Sequence, residues 1–185
     1  MQELSMNLLD IAQNSVAAGS TLTELTVRID TARRALTLVI ADNGKGMSEE
    51  TLRRVTDPFY TTRTTRKVGL GIPLFREAAE TAGGGLTIES KVGVGTTVSA
   101  TFELGNIDLP PLGDVAGTVV NLVQCNPELD FVFRVESDGE EFCMDTRELR
   151  EMLDGVPLST PQVALFLREY LAEHTENLLK RSNLI

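Results

Sequence analysis

Tryptophan is absent from this 185-residue sequence, histidine occurs once and cysteine twice. His174 and two cysteines outside any CxxC spacing, Cys125 and Cys143, cannot complete the usual Cys/His zinc patterns, and they imply no disulfide framework. Both thiols are expected to be reduced and buried or nearly so. No apolar run approaches the roughly 20 residues of a spanning helix, and the opening MQELSMNLLD lacks the basic start and apolar stretch of a signal peptide; a cytoplasmic location without membrane association is expected. Positive charge is scarce too. The net charge is −10, and residues 106–185 carry 6 basic against 15 acidic groups, whereas residues 1–105 carry 11 against 12. Such a surface repels a phosphate backbone, which argues against nucleic acid and for a protein partner.

What is present is an ordinary globular composition, 42% apolar and 24% charged, in a chain long enough for one core plus a small appended unit. Residues 2–18 read as a helix with Leu4, Leu8, Ile11, Ala12 and Ser15 on one side and Gly19 as its stop. Alternation places Leu25, Val27 and Ile29, then Leu36, Leu38 and Ile40, on the inner face of a hairpin that runs into an Asn43-Gly44 turn. Ser48 opens a short helix before Pro58. The polar stretch 60–71 lacks periodicity and is expected to be mobile, and a helix with Pro73 in its first turn follows. Strands GLTIES and GTTVSATFEL flank a KVGVG turn. GNIDLPPLGD reads as a linker, which sets a boundary between units 1–105 and 106–185. The second unit holds two strand-like runs flanked by helices, and its apolar positions Leu149, Met152, Leu153, Val163, Leu165, Phe166 and Leu167 supply a core or a contact face, core being favoured.

Three clusters have the makings of a site. Asn7, Asp10 and Asn14 fall at i, i+3 and i+7 and line one helical stripe; alone, a solvated polar face is the simpler reading. Asp42-Asn43-Gly44-Lys45-Gly46-Met47 follows a strand, placing a carboxylate at its end and glycines where backbone can approach a ligand; alone, it is a plain turn. Val68-Gly69-Leu70-Gly71 precedes a helix whose free N–H groups and dipole suit phosphate oxygens. Neither GxGxxG nor the GxxxxGK[ST] loop is present, so Rossmann and P-loop readings fail.

Taken in order, Asp10-x-x-x-Asn14, Asp42-x-Gly44-x-Gly46, Asp57-Pro58-Phe59, Gly69-x-Gly71 and Gly95-Thr96 resemble the N, G1, F and G2 boxes of the GHKL superfamily, the histidine-kinase-like ATPases. The resemblance covers residues 3 to about 104 and is strongest to the catalytic domain of sensor histidine kinases. It implies an α+β fold, the Bergerat two-layer sandwich with helices on one face of a mixed, mostly antiparallel sheet, here followed by a small acidic α+β domain. It also implies ATP and Mg²⁺ as ligands. By this resemblance Asp42 accepts from the adenine amino group with Thr96 in support, Asn14 binds Mg²⁺ through its amide oxygen, and Asn7 stands behind it. Gly44, Gly46, Met47, Phe59, Thr62, Lys67, Gly69, Leu70 and Gly71 complete the nucleotide-binding set. Asp10 takes the place of a catalytic base, one methylene shorter than the glutamate of hydrolysing members, so slow turnover is expected.

The sequence departs from the kinase pattern at Ala17-Ala18, where a basic residue and an aromatic are usual; Arg63, Arg66 or Lys67 of the lid-like segment compensate. Asp10 lies nine residues from Met1, which leaves no room in this sequence for a helical dimerisation and phosphoacceptor domain. His174 lacks a phosphoacceptor pattern and reads as an ordinary exposed histidine. The expected function is Mg-ATP binding with slow hydrolysis as a nucleotide-dependent switch in signal transduction. The alternatives are a kinase acting on a separate partner and a non-hydrolysing ATP sensor.

Overall fold

The computed structural model describes residues 3–55 and 70–180. Helix α1 (Leu4–Ala17) is followed by strands β1 (Leu22–Asp30) and β2 (Ala35–Asp42), then by the short helix α2 (Glu49–Arg54), whose cap Ser48 accepts from the Thr51 N–H. Helix α3 (Gly71–Thr81) leads into the hairpin β3 (Gly85–Lys91) and β4 (Gly95–Glu103). Helix α4 (Val115–Cys125), strands β5 (Asp130–Ser137) and β6 (Glu140–Asp145), and helices α5 (Thr146–Met152) and α6 (Pro161–Lys180) complete the described chain.

The strands form one six-stranded sheet in the order β3-β4-β2-β1-β5-β6. Only β1 and β5 are parallel among these neighbours, with Leu22 opposite Asp130 and Ile29 opposite Ser137. Period-two alternation decides which face is covered. Leu25, Val27 and Ile29, with Leu36, Leu38 and Ile40, are buried as their spacing predicts, and Val98, Ala100, Phe102, Phe131, Phe133 and Val135 extend the same inner face. Helix α1 packs over β1 and β2, α3 over β3 and β4, and α6 over β5 and β6. Full burial of Phe131 and Phe133 is worth about 1.5–3 kcal/mol each. The fold is thus the expected α+β arrangement, a mixed sheet with helices packed against it.

Strands β5 and β6, from residues 106–185, are hydrogen-bonded into the same sheet as β1–β4, and α4 packs on α1. The proline-rich stretch between β4 and α4 is docked. Its Leu112 is buried, and the carbonyls of Pro111 and Leu112 accept from the Leu4 and Ser5 N–H groups at 2.9 and 2.8 Å. Glu3 makes no side-chain cap, so these carbonyls satisfy donors that the start of a helix leaves without intrahelical partners. Arg28 and Glu136 tie β1 to β5 at 2.5 Å. That contact holds the Glu136 carboxyl below its ordinary range, chiefly through the Arg28 hydrogen bond against a smaller opposing effect of burial.

The cysteines correct the expectation of burial, since both are exposed. Cys143 alternates with inward Met144 on β6 and therefore faces out; Cys125 is the last residue of α4, beyond the buried Leu122 and Val123. His174 is exposed, as expected, with Nδ1 2.8 Å from the Tyr170 carbonyl and its ring 4.3 Å from that of Tyr170.

Candidate nucleotide site

The site is assembled where α1, the end of β2, the β3–β4 turn and the start of α3 meet. On α1, Asn7 is buried at 4% exposure, while Asp10 and Asn14 are half-buried along the same stripe. Gly71 sits directly against them: a Cβ built there would lie 3.5 Å from Asp10 Cβ and 4.0 Å from Asn14 Nδ2. The two polar positions of α1 therefore border the first turn of α3. The Gly71 and Ile72 N–H groups there lack intrahelical partners, and Pro73 has no N–H to satisfy. An anion at this point meets backbone donors and the positive end of a helix dipole.

Asp42 closes β2 and is held at both oxygens. Ser15 Oγ donates to Oδ2 at 2.7 Å and the Gly44 N–H donates to Oδ1 at 2.9 Å. Across the sheet its partner is Thr96. The Thr96 hydroxyl itself is hydrogen-bonded to Ser90 Oγ at 2.8 Å. Ser90 also accepts from the Met47 N–H at 2.8 Å and lies 3.0 Å from the Gly95 carbonyl, to which it donates. One serine thus fastens the glycine turn after β2 to the β3–β4 turn.

The glycines are where close approach demands them. Gly46 has φ +64, and a Cβ there would fall 2.0 Å from the Lys91 carbonyl oxygen; at Gly95, φ +138, it would fall 1.8 Å from the Asp42 carbonyl oxygen. A Cβ at Gly44 would meet Ala18 Cβ, Ala18 O and Asp42 Oδ1, each at 3.0 Å. Backbone bonds from the Lys45 N–H to Ala18 O at 3.0 Å and from the Gly93 N–H to Lys45 O at 2.8 Å bind the turn on both sides. Asn43 has a structural task, its Oδ1 accepting from the Thr21 and Leu22 N–H groups at 2.9 and 3.0 Å. The result is a tightly fixed carboxylate beside glycine turns that pack backbone to backbone.

Of the expected site residues, Asp10, Asn14, Asp42, Gly44, Gly46, Thr96 and Gly71 are placed around this junction, and Asn7 is buried on α1 before Asp10. Met47 is half-buried at its edge and Leu70, 46% exposed, caps α3. Phe59, Thr62, Lys67 and Gly69 lie outside the described residues, as do Asp57, Pro58, Arg63 and Arg66. Sequence reasoning missed Ser15 and Ser90. Ser15 falls on the apolar side of α1 and is 97% hidden; a buried hydroxyl needs a partner, and that requirement is the available signal. Among the described residues no cluster of three or more His, Cys, Asp or Glu side chains is placed to hold a metal ion. A Mg²⁺ site that takes most of its oxygens from phosphate and water asks for only one or two protein ligands, and Asn14 beside Asp10 fits that demand.

A family model described as histidine kinase-, DNA gyrase B-, and HSP90-like ATPase matches residues 1–106. The chain belongs to this ATPase family. Among curated relatives, a putative sensor protein of Shewanella frigidimarina is 37% identical over 110 residues, 58% of this chain and 17% of its own length. The histidine protein kinase DivJ of Caulobacter vibrioides is 34% identical over 103 residues, 54% of this chain and 17% of its own. The sensor histidine kinase AruS of Pseudomonas aeruginosa is 31% identical over 138 residues, 67% and 13%. The chain therefore spans less than a fifth of the length of these relatives. The solved N-terminal domain of a DNA repair protein superposes with a TM-score of 0.58 at 13% identity, over 77% of this chain and 52% of that one, and shows the fold alone. The architecture is consistent with the Bergerat fold, and family membership supports ATP binding.

Proposed function

We propose that the chain binds ATP as its Mg²⁺ complex and turns it over slowly, residues 106–185 reading the nucleotide state for a protein partner in the cytoplasm. The observation that carries this reading is the junction itself: a doubly held Asp42 carboxylate with close-packed glycine turns on one side, and the first turn of α3 against Asp10 and Asn14 on the other. In this reading Asp42 accepts from the adenine amino group, with Thr96 beside it. The α3 N-terminus and the glycine backbone receive phosphate oxygens. Asn14 supplies an amide oxygen to Mg²⁺, which when bound neutralises phosphate charge, and Asn7 supports that end of the site. Asp10 holds or deprotonates an attacking water, work that needs heavy-atom approach of about 3 Å directly or through one water. Asp is shorter than Glu, which favours slow turnover. Lys67, Arg63 or Arg66 would supply cationic stabilisation of the developing charge.

Residues 106–185 suit the reader role because α4 packs on α1, the helix that carries Asn7, Asp10 and Asn14. Of the apolar positions expected to form a core or a contact face, Leu149, Val163 and Leu167 are buried, whereas Met152, Leu165 and Phe166 stand 73%, 60% and 52% exposed. Glu169 and Glu173 follow on the exposed face of α6. We assign the protein partner to the face of α6 that carries Leu165, Phe166, Glu169 and Glu173.

A second reading, phosphoryl transfer to a separate protein, draws support from the sensor kinases among the relatives. Time courses of phosphate release with and without Asp10→Asn separate the two. The switch reading requires slow release that the variant abolishes while ATP affinity is kept. Absence of release by the unaltered chain would contradict it and favour transfer or a sensor.

A further inference from the structure

Ser15 has no part in the nucleotide contacts expected from the sequence, yet it makes a short hydrogen bond within the site. Its hydroxyl is nearly sealed from solvent and points across from α1 to Asp42 Oδ2, 2.7 Å away. The Gly44 N–H holds the other oxygen at 2.9 Å. An ionised carboxylate offers about four acceptor sites, so two directed donors fix the plane of the group and leave the remaining lone pairs in set directions. A carboxylate held only by the Gly44 N–H would swing about its terminal torsion, which is broad and roughly two-fold for Asp.

We infer that Ser15 is a positioning residue that sets the purine preference of this site by locking the Asp42 carboxylate, and through it favours a base with an amino group at the six position. The inference rests on the nucleotide reading above and deepens it. A purine with a carbonyl oxygen at the six position brings an acceptor to an acceptor, so the locked carboxylate rejects it; an amino group donates to the same lone pair. Placement follows from the helix. Ser15 is the residue after Asn14, so the same turn of α1 that borders the phosphate end also fixes the base end.

The test is a titration of the full chain, in Mg²⁺, with ATP and separately with ITP, for the unaltered protein, Ser15→Ala and Ser15→Thr, alongside thermal melting without nucleotide. Once freed, Asp42 holds the binding orientation only part of the time, and a competent fraction of about one tenth predicts about a tenfold weaker ATP affinity in Ser15→Ala, with ITP changed far less, so that the preference for ATP narrows about tenfold. Ser15→Thr, which keeps the hydroxyl, retains the preference. A merely structural serine would shift the melting temperature and weaken both nucleotides alike, or neither, and either result overturns the inference. If the unaltered chain takes up neither nucleotide, the nucleotide reading itself falls and the role of Ser15 with it.

Discussion

Replacing Gly95 by alanine tests how tightly the site is built. Gly95 begins β4 at φ +138, a conformation that L side chains rarely adopt, and its new methyl would sit 1.8 Å from the carbonyl oxygen of Asp42. The carbonyl and the Cα that would carry the methyl both belong to backbone paired in the sheet, with Asp42 opposite Thr96, so neither side can yield as a flexible side chain would. Relief requires the strand start to retreat by about an ångström, which pulls Thr96 away from Asp42 and disturbs the Ser90 bonds to Met47 and Gly95. Backbone strain at the upper end of about 1–3 kcal/mol, because the clash is with backbone, and roughly one lost hydrogen bond of about 1 kcal/mol add up to about 4 kcal/mol. For a chain of this size that lowers the melting temperature by about 8–16 °C. The control lies two residues away. Gly93 also has positive φ, +75, but a Cβ there meets nothing within 4 Å, so Gly93→Ala incurs only the left-handed penalty of about 1–2 kcal/mol. Thermal unfolding of both variants by circular dichroism, with ATP titration of each, decides the matter. Equal destabilisation by the two substitutions would refute the close packing of the β4 start against Asp42.

Asp42→Asn keeps the shape of the side chain but replaces an acceptor with a donor, and it is expected to weaken ATP binding by about tenfold or more while leaving the melting temperature within a few degrees; unchanged affinity by calorimetry would remove Asp42 from the adenine contact. Leu165→Ser with Phe166→Ser alters exposed positions, so urea unfolding should shift by no more than about 0.5 kcal/mol each, and a large loss would show that α6 is a core element on this face too. The Arg28–Glu136 contact makes a pH prediction with a definite sign. Because the Glu136 carboxyl is held below its ordinary range, its stabilisation is fully present above the unfolded value of about 4.3 and is lost as pH falls through the lowered folded value. With Arg28 about half exposed, the contribution is about 0.2–1 kcal/mol. The stability gap between the unaltered chain and Glu136→Gln should therefore close on acidification, and a gap that persists at pH 2 would mean that packing rather than charge explains it.

The alternation in β1, β2 and β4 made the inner face of the sheet readable, and the spacing of Asn7, Asp10 and Asn14 made one wall of the site readable, because both depend on local periodicity. Other features depend on contacts between distant residues. Nothing in DFVFRVES states that it will lie parallel to β1, more than 100 residues earlier; alternation specifies a face and leaves the neighbour open. The capping of α1 by Pro111 and Leu112 carbonyls was equally hidden, since a proline-rich stretch reads as a connection and its carbonyls carry no sequence signature. The task of Ser15 is hidden in the sequence because a small polar residue on an apolar stripe looks like a tolerated neighbour, and its partner Asp42 is 27 residues away. Cys143 could have been placed outward from the alternation with Phe142 and Met144.

The central claim is that this junction holds Mg-ATP, and calorimetric titration of the unaltered chain with ATP in the presence and absence of Mg²⁺ tests it most directly. The account predicts saturable binding to one site per chain, tighter with Mg²⁺ and diminished by Asp42→Asn. No heat of binding from a chain that circular dichroism shows to be folded would contradict it.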